Sequence, residues 1–450
     1  MKNTETSYAM PGGRLETRLG AKKPLYTEHE AITEANRCIY CSDAPCIEKC
    51  PTTIDIPSFI RKIATGNVKG AARTIFESNL LGYSCARVCP VETLCVGDCV
   101  YNHWGREPIQ IGRLQRFATE AAIAKDPELV SRGRSAATGK RIACIGAGPA
   151  SLAAAGHLAL DGHSVVIFEK KSLPGGLNTL GIAPYKLQAP DALAEIDFIT
   201  SLGDIEVRTG VEVVDGEPRD GAVSTASLLS DFDAVFIGIG LGPDNFLDID
   251  GADGPGVVGA TALIERIKGD PSLSFDGVRR AVVVGGGNTA IDVAREMAQL
   301  GVPEVVMVYR KPASRMPGYA HEMEGARKDG VRFLECRQPV EFLRGADGSV
   351  TGVELAPTED GRSTDGPTKI LHCDLVALAI GQARLTTLAA AFPGVELDDR
   401  GRVCVDDETC RTGSPKIWAG GDCVNGGKEV VNAAQHGKLA ARDITSRLAG

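Results

Sequence analysis

The pattern of apolar and polar positions changes character near residue 140. Before it, apolar residues recur at helical spacing in Pro57-Ser-Phe-Ile-Arg-Lys-Ile-Ala-Thr and Gly70-Ala-Ala-Arg-Thr-Ile-Phe, and cysteine-rich loops separate such runs across residues 28–125. This predicts a small, mostly helical unit. Residues 126–140, rich in Ser, Gly, Ala and charge, read as a linker. Arg141-Ile-Ala-Cys-Ile then opens a short buried strand, and from there strands alternate with helices, as in an α/β fold. Two strand–glycine loop–helix units fall at residues 142–160 and 281–300. A third element, Ile417-Trp-Ala-Gly-Gly-Asp-Cys, ends a strand in glycines and an acid and precedes an apolar-periodic helix expected over 431–448. Its distance from the first unit predicts that one Rossmann-like domain is completed only after the other is inserted. The expected limits are 1–135 for the helical domain, 139–275 with 375–450 for the first nucleotide domain, and 276–374 for the second.

Composition narrows the functions open to such a chain. With 450 residues and 43% hydrophobic content, several domains can each bury a core. Forty-nine basic against 58 acidic residues, net −9, give no electrostatic footprint for nucleic acid or an anionic membrane. The first 37 residues lack the apolar core of a signal peptide, and no apolar run is long enough to span a bilayer, so a cytoplasmic location is expected. Eight of the 14 cysteines lie between Cys38 and Cys99. In a reducing compartment that density points to metal ligation rather than disulfides.

The cysteines form two runs, Cys38-x2-Cys41-x4-Cys46-x3-Cys50-Pro and Cys85-x3-Cys89-Pro-x5-Cys95-x3-Cys99. Short spacings ending in Cys-Pro suit compact iron–sulfur cubanes, and eight thiols are enough for two [4Fe–4S] clusters. Structural zinc and unmetallated thiols are the alternatives, although four ligands within thirteen residues fit zinc knuckles poorly. Spacing alone does not choose how eight cysteines divide.

The segment from Cys38 to Thr52, the Cys85-Ala-Arg-Val-Cys-Pro run and Pro108-Ile-Gln-Ile-Gly-Arg-Leu-Gln-Arg-Phe-Ala-Thr-Glu resemble the amino-terminal part of dihydropyrimidine dehydrogenases. The resemblance covers nearly the whole chain. It implies ligands that cross between runs: Cys38, Cys41, Cys46 and Cys99 on one cluster, with Cys50, Cys89, Cys95 and the unusual ligand Gln115 on the other. Cys85 is then left without an iron. Taken without the resemblance, Gln115 is an ordinary helix-surface amide.

In the first glycine unit, Gly146-Ala147-Gly148-Pro149 forms a strand-to-helix turn where missing side chains admit a pyrophosphate, with a small Ser151 where the strictest pattern has glycine. Glu169 ends the next strand at the distance expected for a ribose diol, and Pro174-Gly-Gly176-Leu follows. In two-dinucleotide flavoproteins an acid such as Asp422, after Gly421, meets the ribityl chain, and the following helix aims its positive end at the flavin ring. FAD is therefore expected at the first unit. By resemblance Leu177, Lys186 and Val430 also line it, although the family usually carries arginine and threonine at the last two positions.

The second unit repeats the turn with Gly285-Gly286-Gly287-Asn288-Thr289 and a small Ala290. Its next strand ends in Arg310-Lys311, with Arg315 beyond, a cationic set suited to a 2′-phosphate, so NADPH is expected over NADH; a solvated basic loop is the plain alternative. Ala379-Ile-Gly381 should close over the nicotinamide, and Gly238 and Gly240 should mark the crossing between domains. No catalytic triad, paired carboxylates or metallohydrolase helix occurs, and His157, His163, His321, His372 and His436 are isolated. Catalysis is then cofactor positioning, with Lys186 as a flavin neighbour.

The resemblance implies an electron-input subunit oxidising NADPH at FAD. The sequence ends soon after Gly421-Asp422-Cys423, without the flavin-mononucleotide barrel of the longer dehydrogenases, so a partner subunit carrying FMN, iron–sulfur clusters and the uracil or thymine site is expected. Two other destinations for the electrons fit the same architecture: a glutamine-dependent partner, as for the small subunit of glutamate synthase, or ferredoxin, as for a transhydrogenase subunit.

Overall fold

The computed structural model describes residues 7–125, 129, 133–217 and 219–449. Helices dominate before residue 126. Glu28–Ala35 starts in a reciprocal cap: Thr27 Oγ1 accepts from Glu30 N–H at 3.3 Å while Thr27 N–H donates to Glu30 Oε2 at 2.8 Å. Asp55 accepts from Ser58 N–H at 3.1 Å to start Ile56–Ala64, whose Ile56, Phe59, Ile60 and Ile63 form one buried stripe. Asn67 caps Val68–Ser78, and Gly82–Val88 and Ile111–Lys125 complete the bundle. Of the expected linker, residues 126–128 and 130–132 lie outside the described residues. Further on, Ser135 N–H bonds Leu160 O at 2.8 Å and Thr138 N–H bonds Gly162 O at 3.0 Å, so this stretch is fastened to the next domain.

Two all-parallel five-stranded sheets follow. The first has the order Ile417–Ala419, Ala234–Ile237, Arg141–Ile145, Ser164–Glu169, Ile205–Thr209, and the second Arg332–Glu335, Glu304–Tyr309, Arg280–Val284, Leu375–Leu378, Val257–Gly259. The first sheet thus takes its edge strand Ile417–Ala419 from beyond the second sheet. The second sheet, however, reaches past residues 276–374 on both sides, taking Val257–Gly259 and Leu375–Leu378. Their short apolar runs read equally well as strands of either sheet, so the boundary was not visible. An antiparallel sheet of Arg337–Arg344, Val350–Glu359, Arg362–Ser363 and Lys369–His372 caps the second domain. The two connections between the parallel sheets pair with each other at Asp244 and Gln382.

A single hydrophobic core runs from the helical unit into one face of the first sheet, through Phe76, Leu80, Phe198 and Ala153. The Phe76 and Phe198 rings lie 4.6 Å apart. Truncating Phe76 to alanine in so dense a core costs about 3–5 kcal/mol. The second core instead takes in Leu15 and Leu19 from the amino-terminal segment. Among the described residues no helix is long and apolar enough to cross a membrane.

Candidate functional site

Two cavities in the helical unit gather the cysteines. Cys38, Cys41, Cys46 and Cys99 line the first, with Ile39, Ile60 and Tyr101. Cys50, Cys85, Cys89, Cys95 and Gln115 line the second, with Asn79 and Val431. Each cavity therefore draws from both runs: Cys99 turns back to the first, and Cys50 reaches forward to the second. Burial, then the crowding of Cys38, Cys99 and Cys41, pushes the Cys46 thiol up to about 12. Burial, then Cys89 and Cys50, raises Cys95 well above its usual range. For Cys89 the largest cause is a thiol hydrogen bond with Cys85, and burial adds to it. Thiols crowded this way repel as thiolates, and a cationic iron core relieves that repulsion. All-sulfur linings of this kind, with the carboxamide of Gln115 in the second, fit iron–sulfur clusters.

Gln115 is 7% exposed, and its Nε2 donates to Gly82 O at 2.7 Å, fixing the carboxamide in the wall of the second cavity. Cys85 shares that wall and accepts from Asn79 Nδ2 at 3.2 Å. Behind Cys89, the Lys23 ammonium donates to Cys89 O at 2.7 Å, and burial lowers its pKa.

At the first glycine loop, Gly146 has φ +80°, and a Cβ there would meet Gly238 O at 2.7 Å. Gly176 packs so closely that its Cβ would lie 3.0 Å from Gly148 Cα. Pro149 begins the helix Pro149–Leu160, so its missing N–H costs nothing. Ser151 is wholly buried and donates to Ile145 O at 3.4 Å, filling the space that Gly238 leaves. The Glu169 carboxylate accepts from Ala147 N–H and from Lys171 N–H, each at 2.8 Å. These bonds fix its direction and leave acceptor capacity on both oxygens. Gly421 N–H donates to His436 Nδ1 at 3.1 Å, Asp422 accepts from Lys428 N–H at 3.2 Å, and burial raises the Asp422 carboxyl. Val430 opens the helix Val430–Ala449, which approaches Pro149–Leu160 so tightly at Gly437 that a Cβ would meet Ala150 O at 2.3 Å. Leu177 begins a short helix and is partly exposed.

At the second loop, a Cβ on Gly285 would meet Ala379 O at 2.4 Å, and one on Gly286 the Tyr309 ring at 2.7 Å, whereas Gly287 faces open space. Asn288 opens the helix Asn288–Gln299, its Oδ1 accepts from Tyr319 N–H at 2.9 Å, and Thr289 beside it is exposed. Gly381, φ +102°, lies in the paired connection, with its carbonyl accepting from Asn245 N–H at 2.9 Å. Arg310, Lys311 and Arg315 occupy the loop after Glu304–Tyr309, as the sequence placed them.

Lys186 makes two ion pairs across the nucleotide domains. Its ammonium reaches Asp292 at 2.6 Å and Glu322 at 3.1 Å, both on second-domain helices. Burial disfavours the charge, but the two acids outweigh it and hold the pKa above the usual lysine value. Lys22 at 2.5 Å and Arg295 at 2.9 Å join Glu322, and the Tyr319 hydroxyl donates to Glu429 at 2.7 Å. These residues tie both nucleotide domains and the amino-terminal segment together, and no motif announces them. His436 supports the Gly421 turn by accepting from its N–H. Helical spacing between Gly421 and the 431–448 run was the only signal for it.

The "Dihydropyrimidine dehydrogenase domain II, 4Fe-4S cluster" family model matches residues 16–127, and the "Pyridine nucleotide-disulphide oxidoreductase" model matches 140–437. The glutamate synthase [NADPH] small chain of Escherichia coli K12 is 33% identical, over 94% of this chain and 92% of its own length. The NAD-dependent dihydropyrimidine dehydrogenase subunit PreT of the same organism is 35% identical, over 95% of this chain and 96% of its own. Among solved structures, thioredoxin reductase from T. acidophilum superposes with a TM-score of 0.55 at 23% identity, covering 69% of this chain and 100% of its own, a likeness of fold alone.

Proposed function

We propose, for a chain that belongs to the pyridine nucleotide-disulphide oxidoreductase family, the role of electron-input subunit: NADPH is oxidised at FAD, and electrons leave through two [4Fe–4S] clusters to a partner that reduces a pyrimidine. That the chain is an NAD(P)H-dependent flavoprotein oxidoreductase follows from the family itself. A bound flavin accepts a two-electron hydride and releases electrons singly, which iron–sulfur clusters can carry. The observation that carries the reading is the helix Val430–Ala449. Val430 flanks the Asp422 turn, and Val431, the next residue, is in the wall of the second sulfur cavity. The flavin side and the cluster side are then separated by a single helix start.

The residues divide the work. Gly146, Gly148 and Gly176 would leave backbone room for a pyrophosphate, Glu169 would meet a ribose, and Asp422 with the start of Val430–Ala449 would orient the flavin. Gly285, Gly287 and Asn288 would hold the nicotinamide dinucleotide, with Arg310, Lys311 and Arg315 for a 2′-phosphate. Cys38, Cys41, Cys46 and Cys99 would hold one cluster, and Cys50, Cys89, Cys95 and Gln115 the other. Lys438 joins the helix Val430–Ala449 to the segment after Cys50 by donating to Thr52 O at 3.0 Å and Ser78 O at 2.9 Å.

The partner in this reading carries FMN, iron–sulfur clusters and the uracil or thymine site; the similarity to a protein named as a dihydropyrimidine dehydrogenase subunit supports it. The comparable similarity to a glutamate synthase small chain supports a second destination, a glutamine-dependent partner. Affinity purification from the native cell, followed by assays with uracil and with glutamine plus 2-oxoglutarate, separates them. The first reading expects uracil reduction only in the complex. Uracil reduction by the isolated chain, or glutamate formation by the complex, contradicts it.

A further inference from the structure

Two carboxylates converge on the basic loop of the second nucleotide site. Strand Arg332–Glu335 lies parallel to Glu304–Tyr309 and ends in Glu335, whose Oε2 accepts from Ala313 N–H at 2.6 Å, inside the loop that carries Arg310, Lys311 and Arg315. From the other side, the antiparallel cap sends down the tight turn between Val350–Glu359 and Arg362–Ser363. That turn contains Asp360 at φ +48° and Gly361 at φ +84°. Thr358 anchors it by donating to Arg310 O at 2.7 Å. Gly361 rests on the Lys311 side chain, since a Cβ there would come within 3.1 Å of its Cε. The turn therefore delivers the Asp360 carboxylate to Arg315, Oδ1 to Nη1, at 2.5 Å.

We infer that Asp360 moderates the preference for NADPH over NADH, by competing with a 2′-phosphate for the Arg315 guanidinium. The inference rests on the reading of residues 285–315 as the nicotinamide-dinucleotide site. A basic cluster alone would favour the phosphorylated nucleotide. Here an acid already pairs with one arginine of the cluster, and Glu335 adds a second carboxylate by accepting from Ala313 N–H within the same loop. NADPH must displace Asp360, whereas the 2′-hydroxyl of NADH leaves the pair in place. Both partners of the pair are largely exposed, with side-chain exposures of 59% and 76%. An exposed pair is exchanged at little cost, so the acid moderates the preference and does not abolish NADPH use.

The test is steady-state reduction of ferricyanide by the FAD- and cluster-loaded protein, with kcat/KM measured for NADPH and NADH. Asp360→Asn is expected to raise the NADPH-to-NADH ratio about two- to five-fold. Arg315→Gln is expected to lower that ratio, and Asp360→Asn added to Arg315→Gln to change it no further. A ratio unmoved by Asp360→Asn, or an equal effect of Asp360→Asn with and without Arg315, overturns the inference while leaving the site reading intact. If Gly285→Val leaves reduction by both nucleotides at the wild-type level, the site reading itself fails.

Discussion

The two sulfur cavities share a donor type and differ in their surroundings. The first is set among Ile39, Ile60 and Tyr101, close to the surface, where Ile39 and Trp104 are 48% and 55% exposed. The second is closed by Gln115, Asn79 and Val431, backed by the Lys23 ammonium on Cys89 O, and joined to the nucleotide domain through Lys438. One lies near the surface and the other lies against the helix Val430–Ala449. In the proposed electron-input role both positions have a use, one toward the flavin and one toward a partner, and each cavity is built from both cysteine runs.

That difference predicts unequal consequences. Cys95→Ser should remove about half the iron and stop NADPH-driven reduction of the remaining cluster, while flavin bleaching persists. Cys41→Ser should remove a similar share and leave the inner cluster reducible. Rapid-mixing absorbance and EPR of both variants test this, and identical behaviour would erase the distinction between the cavities. A smaller effect is expected from Gln115→Cys, which should keep the iron but lower the potential of the inner cluster, because a thiolate adds negative charge where an amide had none. Potentiometric EPR reads it, and an unchanged spectrum and potential would remove Gln115 from the ligand set. Lys23→Met should likewise shift only the inner cluster to lower potential, through loss of a nearby cation.

The smallest effect concerns pH. Glu195 joins the first nucleotide domain to the helical unit by accepting from Tyr83 N–H at 2.9 Å and Ser84 N–H at 3.0 Å. Burial raises its pKa to about 7. A carboxyl whose folded value is raised contributes stability below about 4.5, its unfolded value, and that contribution is lost as pH rises through 7. Thermal unfolding followed from pH 5 to 8 should show this decline, and Glu195→Gln should flatten it.

The parts legible in the sequence were those whose chemistry demands a residue type at a spacing. Gly146 and Gly285 must lack side chains because a carbonyl lies within 2.7 Å and 2.4 Å of where Cβ would be. The acid after Gly421 and the two Cys-Pro turns are equally local. The parts not legible depend on distant segments meeting. Lys186 finds Asp292 across 106 positions, Lys22 finds Glu322 across 300, and Asp360 reaches Arg315 only because an antiparallel cap folds over the loop. That Val257–Gly259 joins the second sheet was not legible for a related reason, since strand pairing depends on a partner more than a hundred residues away.

The most direct test is anaerobic mixing of the isolated, FAD- and cluster-loaded chain with one equivalent of NADPH, followed by absorbance and freeze-quench EPR. The electron-input reading predicts flavin bleaching first, then signals of reduced iron–sulfur clusters that grow as the flavin colour partly returns. Flavin reduction with clusters left oxidised at equilibrium, or a protein that holds zinc in place of iron, would contradict it.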